Sequence, residues 1–344
     1  VQDGKSMRTA KMKKHNLTKN FAYVLLILCI LTVFATVCGC QYDTPPEPPT
    51  DDKTVDVAIF MGQSNMAGRG EAIDSVVAEQ GHGYEFRAVA DPSKLYDVVE
   101  PFGATENNEA LADAGQNGDG KKKGSMVSAF VEGYYEQTNT PLVCVSASVG
   151  GTSIGKWIPN AEETDYFEES KRRLTAAVDY LLANEYTVRR VFMVWCQGEA
   201  DATRWVKGEI DYFGRLQSIV DGLAELGNGY GVSNLFLVTP SEFSVGSEEA
   251  NANKVKLVDD MIAYCERTDN NCVLASVKFR NVPLNMRDDP HFHQGIYNVT
   301  GYDAGKNVAS YYATNKYPTC AEFVLGEDVT LAEKFGIAPQ YTSK

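Results

Sequence analysis

Three side chains in this sequence have the chemistry to cleave an ester together: a serine between glycines, a histidine, and an aspartate three residues ahead of that histidine. The serine is Ser64, in Phe60-Met61-Gly62-Gln63-Ser64-Asn65-Met66-Ala67-Gly68-Arg69-Gly70, directly after an apolar run over 55–61. A strand that ends this way can present a hydroxyl as a nucleophile, or it can simply end. A nucleophilic serine needs a base. Of the four histidines, His15 lies in the N-terminal segment, which leaves His82, His291 and His293. His291 stands apart, because Asp288-Asp289-Pro290-His291-Phe292 places a carboxylate three residues before it in a proline-containing loop. Asp288 can accept a hydrogen bond from one ring nitrogen and leave the other facing a hydroxyl. Asp289 competes for that role, although adjacent side chains point apart. His293 is expected at solvent or at a pocket wall. Singly, these patterns are short enough to be surface turns, and Gly-x-Ser-x-x-x-Gly is not the Gly-x-Ser-x-Gly elbow of α/β-hydrolases.

Two further segments supply what a tetrahedral intermediate requires. Ser148-Val149-Gly150-Gly151-Thr152 offers backbone N–H groups unobstructed by side chains. Trp195-Cys196-Gln197-Gly198-Glu199-Ala200-Asp201-Ala202 offers the neutral amide of Gln197. Both segments follow apolar runs. Strand-like runs recur at 55–61, 141–146, 190–196, 234–239 and 272–276. Helix-like segments with apolar residues at three-to-four spacing lie at 125–137, 165–184, 209–226 and 248–267, with a weaker one at 300–314. Alternating strands and helices, with nearly continuous apolar strands, predict a parallel sheet covered on both faces. The ends of parallel strands share one edge, so the serine, the glycines, the glutamine and the Asp–His loop are expected to converge there. Residues 71–124, rich in Gly, Asn, Asp and Lys, read as a long insertion shaping the ligand site.

In order, "GQSNMAGRG", "GGTSIGKW", "WCQGEADA" and "DDPHF" resemble the signature blocks of the sialate O-acetylesterase-like branch of the SGNH (GDSL-type) hydrolases. That branch includes carbohydrate esterase family six, the acetyl xylan esterases. The resemblance covers 55 to about 312 and implies an α/β fold: a three-layer α/β/α sandwich of flavodoxin-like type with a five-stranded parallel sheet. It implies deacetylation of O-acetylated carbohydrates, with neither cofactor nor metal. Carried over block by block, it makes Ser64 the nucleophile, His291 the base and Asp288 its orienting acid. The oxyanion hole would be the Ser64 amide, the Gly151 amide (preferred over that of Gly150) and the Gln197 side chain. Arg69, Glu199 and Asp201 lie inside the blocks away from the acyl group. The expectation is that Arg69 pairs with Glu199 or Asp201 beneath the site; the rival is that Glu199 helps orient His291. Trp157 and Trp205 could stack on a sugar or simply pack. The alternatives to an acetylesterase are a glycan-binding lipoprotein without turnover and an SGNH lipase or lysophospholipase.

The remaining sequence sets the context. Residues 1–39 hold six Lys/Arg and one Asp, which leaves 26 Lys/Arg against 45 Asp/Glu, a formal net charge of −19. Such a body repels phosphate backbones and anionic lipid, which argues against nucleic acid as a partner. Met12-Lys13-Lys14 opens a basic segment followed by 18 uncharged residues over 21–38. Val37-Cys38-Gly39-Cys40 resembles a bacterial lipobox, so residues 1–39 are expected to be a leader starting at Met12, with plain secretion or a retained membrane anchor as the alternatives. Cys40 is then the lipidated residue, and 40–53 a proline-rich acidic tether. Residues 54–344 would form the single catalytic domain, exported and touching a membrane only through the lipid. No cysteine or histidine cluster has zinc spacing. Cys265 and Cys272, seven apart, are the one candidate disulfide.

Overall fold

A computed structural model describes residues 53–113, 122–243, 247–280, 282, 286–288 and 290–323. The leader, Cys40, most of the tether and Asp289 lie outside the described residues. The central strand is β1 (Thr54–Gly62), whose β-branched, aromatic and aliphatic residues are almost all buried. A strand covered on both faces needs that composition. Along β1, Val57, Ile59 and Met61 turn toward one core, while Ala58 and Phe60 turn toward a second. The two cores are the two interfaces of a three-layer α/β/α sandwich.

The sheet has seven strands in the order β3-β2-β4-β1-β5-β6-β7. The five expected strands are β1, β4 (Leu142–Ser148), β5 (Thr187–Cys196), β6 (Leu235–Val238) and β7 (Cys272–Ser276), paired in parallel. The other two come from the insertion. β2 (Gly83–Arg87) runs parallel to β4, and β3 (Asp91–Asp97) pairs antiparallel with β2 at the edge. β3 reads DPSKLYD and is exposed along most of its length. Its proline and lysine suit an edge that must not recruit another strand, and they leave no apolar alternation to be read in sequence.

The helices are α1 (Ser64–Ala67), α2 (Val127–Thr138), α3 (Tyr166–Ala183), α4 (Ala202–Val206), α5 (Tyr212–Leu223), α6 (Glu248–Cys265) and α7 (Gln294–Thr314). α3, α5 and α6 contribute to the first core, α2 and α7 to the second. α7 starts six residues before the expected 300: Ile296 and Tyr297 already enter the second core, and the polar residues beside them are held by side-chain hydrogen bonds. Gln294 Nε2, for example, donates to Ser125 O at 2.8 Å and to Asn298 Oδ1 at 2.9 Å.

From β1 the chain builds β2, β3 and β4 on one side, then crosses to build β5, β6 and β7 on the other. The strand order reverses at β1. In an open α/β sheet the crevice at the carboxyl ends of the strands flanking such a reversal is the place for a ligand. Here those are the ends of β4, β1 and β5.

Candidate active site

Ser64 is presented by a forced turn. Gly62 has φ +139°, and a Cβ there would lie 2.1 Å from the carbonyl oxygen of Cys196 on β5, so only glycine fits. Gln63 N then donates to the same Cys196 O at 3.0 Å, and Ser64 opens α1. Ser64 is buried, with its Oγ 2.8 Å from His291 Nε2.

His291 is delivered by a two-stranded hairpin. β8 (Met286–Asp288) and β9 (His291–Phe292) pair antiparallel with Asp288 opposite His291. The Asp288 carboxylate hydrogen-bonds His291 Nδ1. The histidine side chain is only 4% exposed, whereas that of Asp288 is 54% exposed, so the carboxylate stands at the mouth and the ring beneath it. Two sets of contacts fix the hairpin. Phe292 stacks on Phe279 with ring centroids 4.6 Å apart and planes at 4°. Glu71 accepts from Gln294 N at 2.9 Å and pairs with Arg287 Nε at 3.1 Å and His293 Nδ1 at 3.3 Å. Glu71 is thus a partner of His293, whose side chain remains 37% exposed to solvent as expected. His82 lies elsewhere, stacked on Tyr135 at 3.7 Å and 2.9 Å from Glu132 Oε1.

The two glycines after β4 have different duties. Gly150 N donates to Asp113 Oδ1 at 3.0 Å. Gly151, at φ +71°, lines the cavity beside Ser64, and its N–H has no partner among the described residues.

Gln197 does not take the expected position. It is fully buried and its Nε2 faces Asp201 Oδ2 at 2.6 Å, Thr152 O at 2.9 Å and Gln63 Oε1 at 3.2 Å. Two N–H donors facing three protein acceptors leave none for an oxyanion. Gln197 is a strut between the loops after β4 and β5. The glutamine that lines the cavity is Gln63. Gln197 fixes its carbonyl oxygen, and its Nε2 has no partner among the described residues. Nothing in the sequence separated the two glutamines except that Gln63 adjoins Ser64.

Arg69 is a buried brace, but its partner is neither Glu199 nor Asp201. Its Nη2 donates to both oxygens of Asp113 at 2.8 and 2.9 Å, and its Nη1 donates to Gly68 O at 2.8 Å. Asp113 belongs to the insertion, whose partners are not legible from spacing. Asp201 is fully buried and accepts from Ser153 Oγ and Ile154 N, both at 2.7 Å, besides Gln197. Glu199 does not touch His291. Its Oε1 accepts from Asn65 Nδ2 at 2.6 Å and Ser241 N at 3.2 Å, while Oε2 has no partner among the described residues. Burial pushes the Glu199 carboxyl above the usual carboxylate range. Asn65 also donates to Pro290 O at 3.4 Å and accepts from Tyr297 Oη at 2.7 Å. It thereby joins the nucleophile's turn to the hairpin and α7.

Neither tryptophan lines the cavity. Trp157 is fully buried, edge-on to Trp195 at 5.9 Å, and donates from Nε1 to Thr152 Oγ1 at 3.0 Å. Trp205 packs edge-on against Phe213 at 5.0 Å and donates to Asp260 Oδ2 at 2.8 Å. Cys265 and Cys272 are buried thiols with sulfurs 3.0 Å apart, in contact and not bonded. The cavity has a volume of about 310 Å³ and is bounded by Gln63, Ser64, Gly151, Glu199, Thr203 and Lys254 among others. That is small-ligand size.

Residues 54–293 match the family described as "Carbohydrate esterase, sialic acid-specific acetylesterase". No curated protein sequence matches the chain. Among solved structures, a protein from Arabidopsis thaliana is similar at 18% identity and a TM-score of 0.50, over 76% of this chain and 98% of that one. NanS is similar at 9% identity and a TM-score of 0.49, over 77% of this chain and 99% of that one. XAC1771, a carbohydrate acetylesterase from Xanthomonas citri, is similar at 15% identity and a TM-score of 0.44, over 76% of this chain and 57% of that one. At 18% identity the likeness to the Arabidopsis thaliana protein speaks to the fold alone, and the match over 54–293 carries the family. The chain therefore belongs to the sialic acid-specific acetylesterase family of carbohydrate esterases, within the SGNH hydrolases, and is a carboxylic ester hydrolase.

Proposed function

We propose that the protein removes acetyl groups from O-acetylated sugars, of the acetylated xylan or sialic acid type, through an acetyl-serine intermediate. The observation that carries this reading is the contact of 2.8 Å between Ser64 Oγ and His291 Nε2, with Asp288 on the opposite ring nitrogen. Ser64 Oγ attacks the acetyl carbonyl as His291 Nε2 takes its proton. The tetrahedral oxyanion is held by the N–H groups of Ser64 and Gly151 and by Gln63 Nε2. As the intermediate collapses, His291 returns the proton to the departing sugar oxygen, leaving acetyl-Ser64. Water, deprotonated by His291, then attacks the acyl group, releasing acetate and restoring the Ser64 hydroxyl. Asp288 holds the imidazole in the tautomer that leaves Nε2 able to accept.

The test is acetate release from acetylated xylan, O-acetylated sialic acid and p-nitrophenyl acetate by the native protein and by Ser64→Ala. The expected result is release from all or some of these esters by the native protein and a loss of at least about 10³-fold in kcat in the variant. Release that survives in Ser64→Ala would overturn the assignment of the nucleophile. Release from p-nitrophenyl acetate but from neither sugar would overturn the substrate.

A further inference from the structure

A second cavity, of about 490 Å³, lies against the same two loops as the first. Gly151 and Thr203 line the catalytic cavity, and Ser153 and Arg204 line this one. Two residues of chain span at most about 7 Å, so the cavities are neighbours. Between them stands the buried Asp201 carboxylate, which ties Ser153 and Ile154 to the amino-terminal end of α4.

The second cavity departs from the character of the molecule. The chain carries a net charge of −14, yet Lys156, Arg204 and Arg215 meet here against Glu162 and Glu163. The two glutamates are exposed. Arg204 has an anionic neighbour, Glu209, at 3.8 Å. Lys156 and Arg215 are half-buried, and their side-chain cations have no hydrogen-bond or ion-pair partner among the described residues. Arg215 is seated directly over Gly155, where a Cβ would lie 2.8 Å from its Nη1. In an acidic molecule, two half-buried cations left unpaired inside a ring-sized cavity have a preference for an anion. The planar fork of Arg215 matches a carboxylate in particular. Ile158 and Ala161 add apolar wall, and Asn160 adds a hydrogen-bonding amide, as a sugar ring requires.

We infer that this second cavity is a subsite for a uronic acid, an acidic sugar adjoining the acetylated one, whose carboxylate is held by Arg215 and Lys156. The inference rests on the deacetylation reading for the position of the scissile ester, since the acetylated residue would occupy the cavity at Ser64. It makes the preferred substrate an acetylated glycan that carries carboxylates and not a wholly neutral one.

The test uses Ser64→Ala protein, so that binding is measured without turnover. Two ligands are compared by titration calorimetry: an O-acetylated oligosaccharide with a uronic acid next to the acetylated sugar, and its carboxyl-reduced counterpart. The acidic ligand is expected to bind about tenfold more tightly, an advantage that shrinks in about 0.5 M NaCl. Adding Arg215→Gln and Lys156→Gln should abolish the difference while leaving the affinity for the reduced ligand unchanged. In the catalytically intact protein the same two substitutions should raise KM for the acidic substrate, leave kcat, and leave p-nitrophenyl acetate hydrolysis unaltered. Equal affinities for the two ligands in Ser64→Ala protein overturn the subsite, and that comparison needs no substitution in the second cavity. Absence of Ser64-dependent acetate release would overturn the deacetylation reading separately, because the binding comparison does not depend on it.

Discussion

Gln63 and Gln197 are the same residue type at the ends of neighbouring strands, and their environments assign them opposite duties. Gln197 is sealed between Asp201, Thr152 and Tyr212, which lies 2.9 Å from its Oε1. Gln63 is held by one contact through its oxygen and turns its nitrogen to the cavity wall. If Gln63 donates to the oxyanion, Gln63→Ala should lower kcat by about 10²–10³-fold with little change in KM, the usual cost of one such donor. Gln197→Leu should instead act on folding, because it strips a buried hydrogen-bond network of its centre. An equilibrium urea titration should show a loss of about 1–3 kcal/mol. A catalytic loss in Gln197→Leu at full stability, with Gln63→Ala near native, would reverse the two roles. Ser64, His291 and Asp288 were legible because histidines are scarce and only His291 has an aspartate three residues ahead. The glutamines were not, since the deciding quantity is the direction of a side chain, which depends on partners distant in sequence.

Elements position these residues through a few latches between the motif loops and the insertion. The nearly continuous apolar strands and the amphipathic helices were readable because burial imposes their periods. β3 escaped because an edge strand need not be apolar, and β2 because it has five residues and carries the mutually paired Glu85 and Arg87. Arg69 could not be matched to Asp113 because the two are joined by no local rule. The latch has a clear role: Asp113 takes both the Arg69 guanidinium and the Gly150 N–H, which holds the chain entering Gly151. Arg69 and Asp113 side chains are 7% and 1% exposed. Removing one partner of such a pair leaves a buried charge, at a cost of about 3–5 kcal/mol. Arg69→Met and Asp113→Leu are each expected to lose about that much in urea unfolding, while the double substitution should recover part of it, with a coupling of about 1–3 kcal/mol. Acetate release should fall in every variant, since Gly150 loses its anchor or its brace. Additive losses in the double variant would show that the pair is not a latch.

For the whole molecule, the cost of charge falls on the interior as well as the surface. Lys122, at the return of the insertion to the sheet, is buried and donates to Ser146 Oγ at 2.6 Å and Ser148 Oγ at 3.2 Å on β4. No carboxylate among the described residues touches it, and desolvation pushes its ammonium down to about 8. The folded value thus lies below that of the unfolded chain, near 10.4. A depressed lysine contributes stability that is present above the unfolded value and is lost as pH falls through the folded one. Below about pH 8 the fold therefore holds a buried cation at its full cost. The difference between the two values corresponds to about 3 kcal/mol. Lys122→Met removes this dependence, and the loss of the two serine hydrogen bonds adds an offset that does not vary with pH. Unfolding free energies of the two proteins, measured by urea titration from pH 6 to pH 10, should therefore diverge. The difference, variant minus native, should be most favourable to the variant at pH 6–7 and fall by up to about 3 kcal/mol by pH 10. Taking a difference cancels the titration of surface groups common to both proteins. A difference that stays flat across that range would mean that water or a carboxylate reaches Lys122 in solution, and that the interior beside β4 is not as dry as its burial implies.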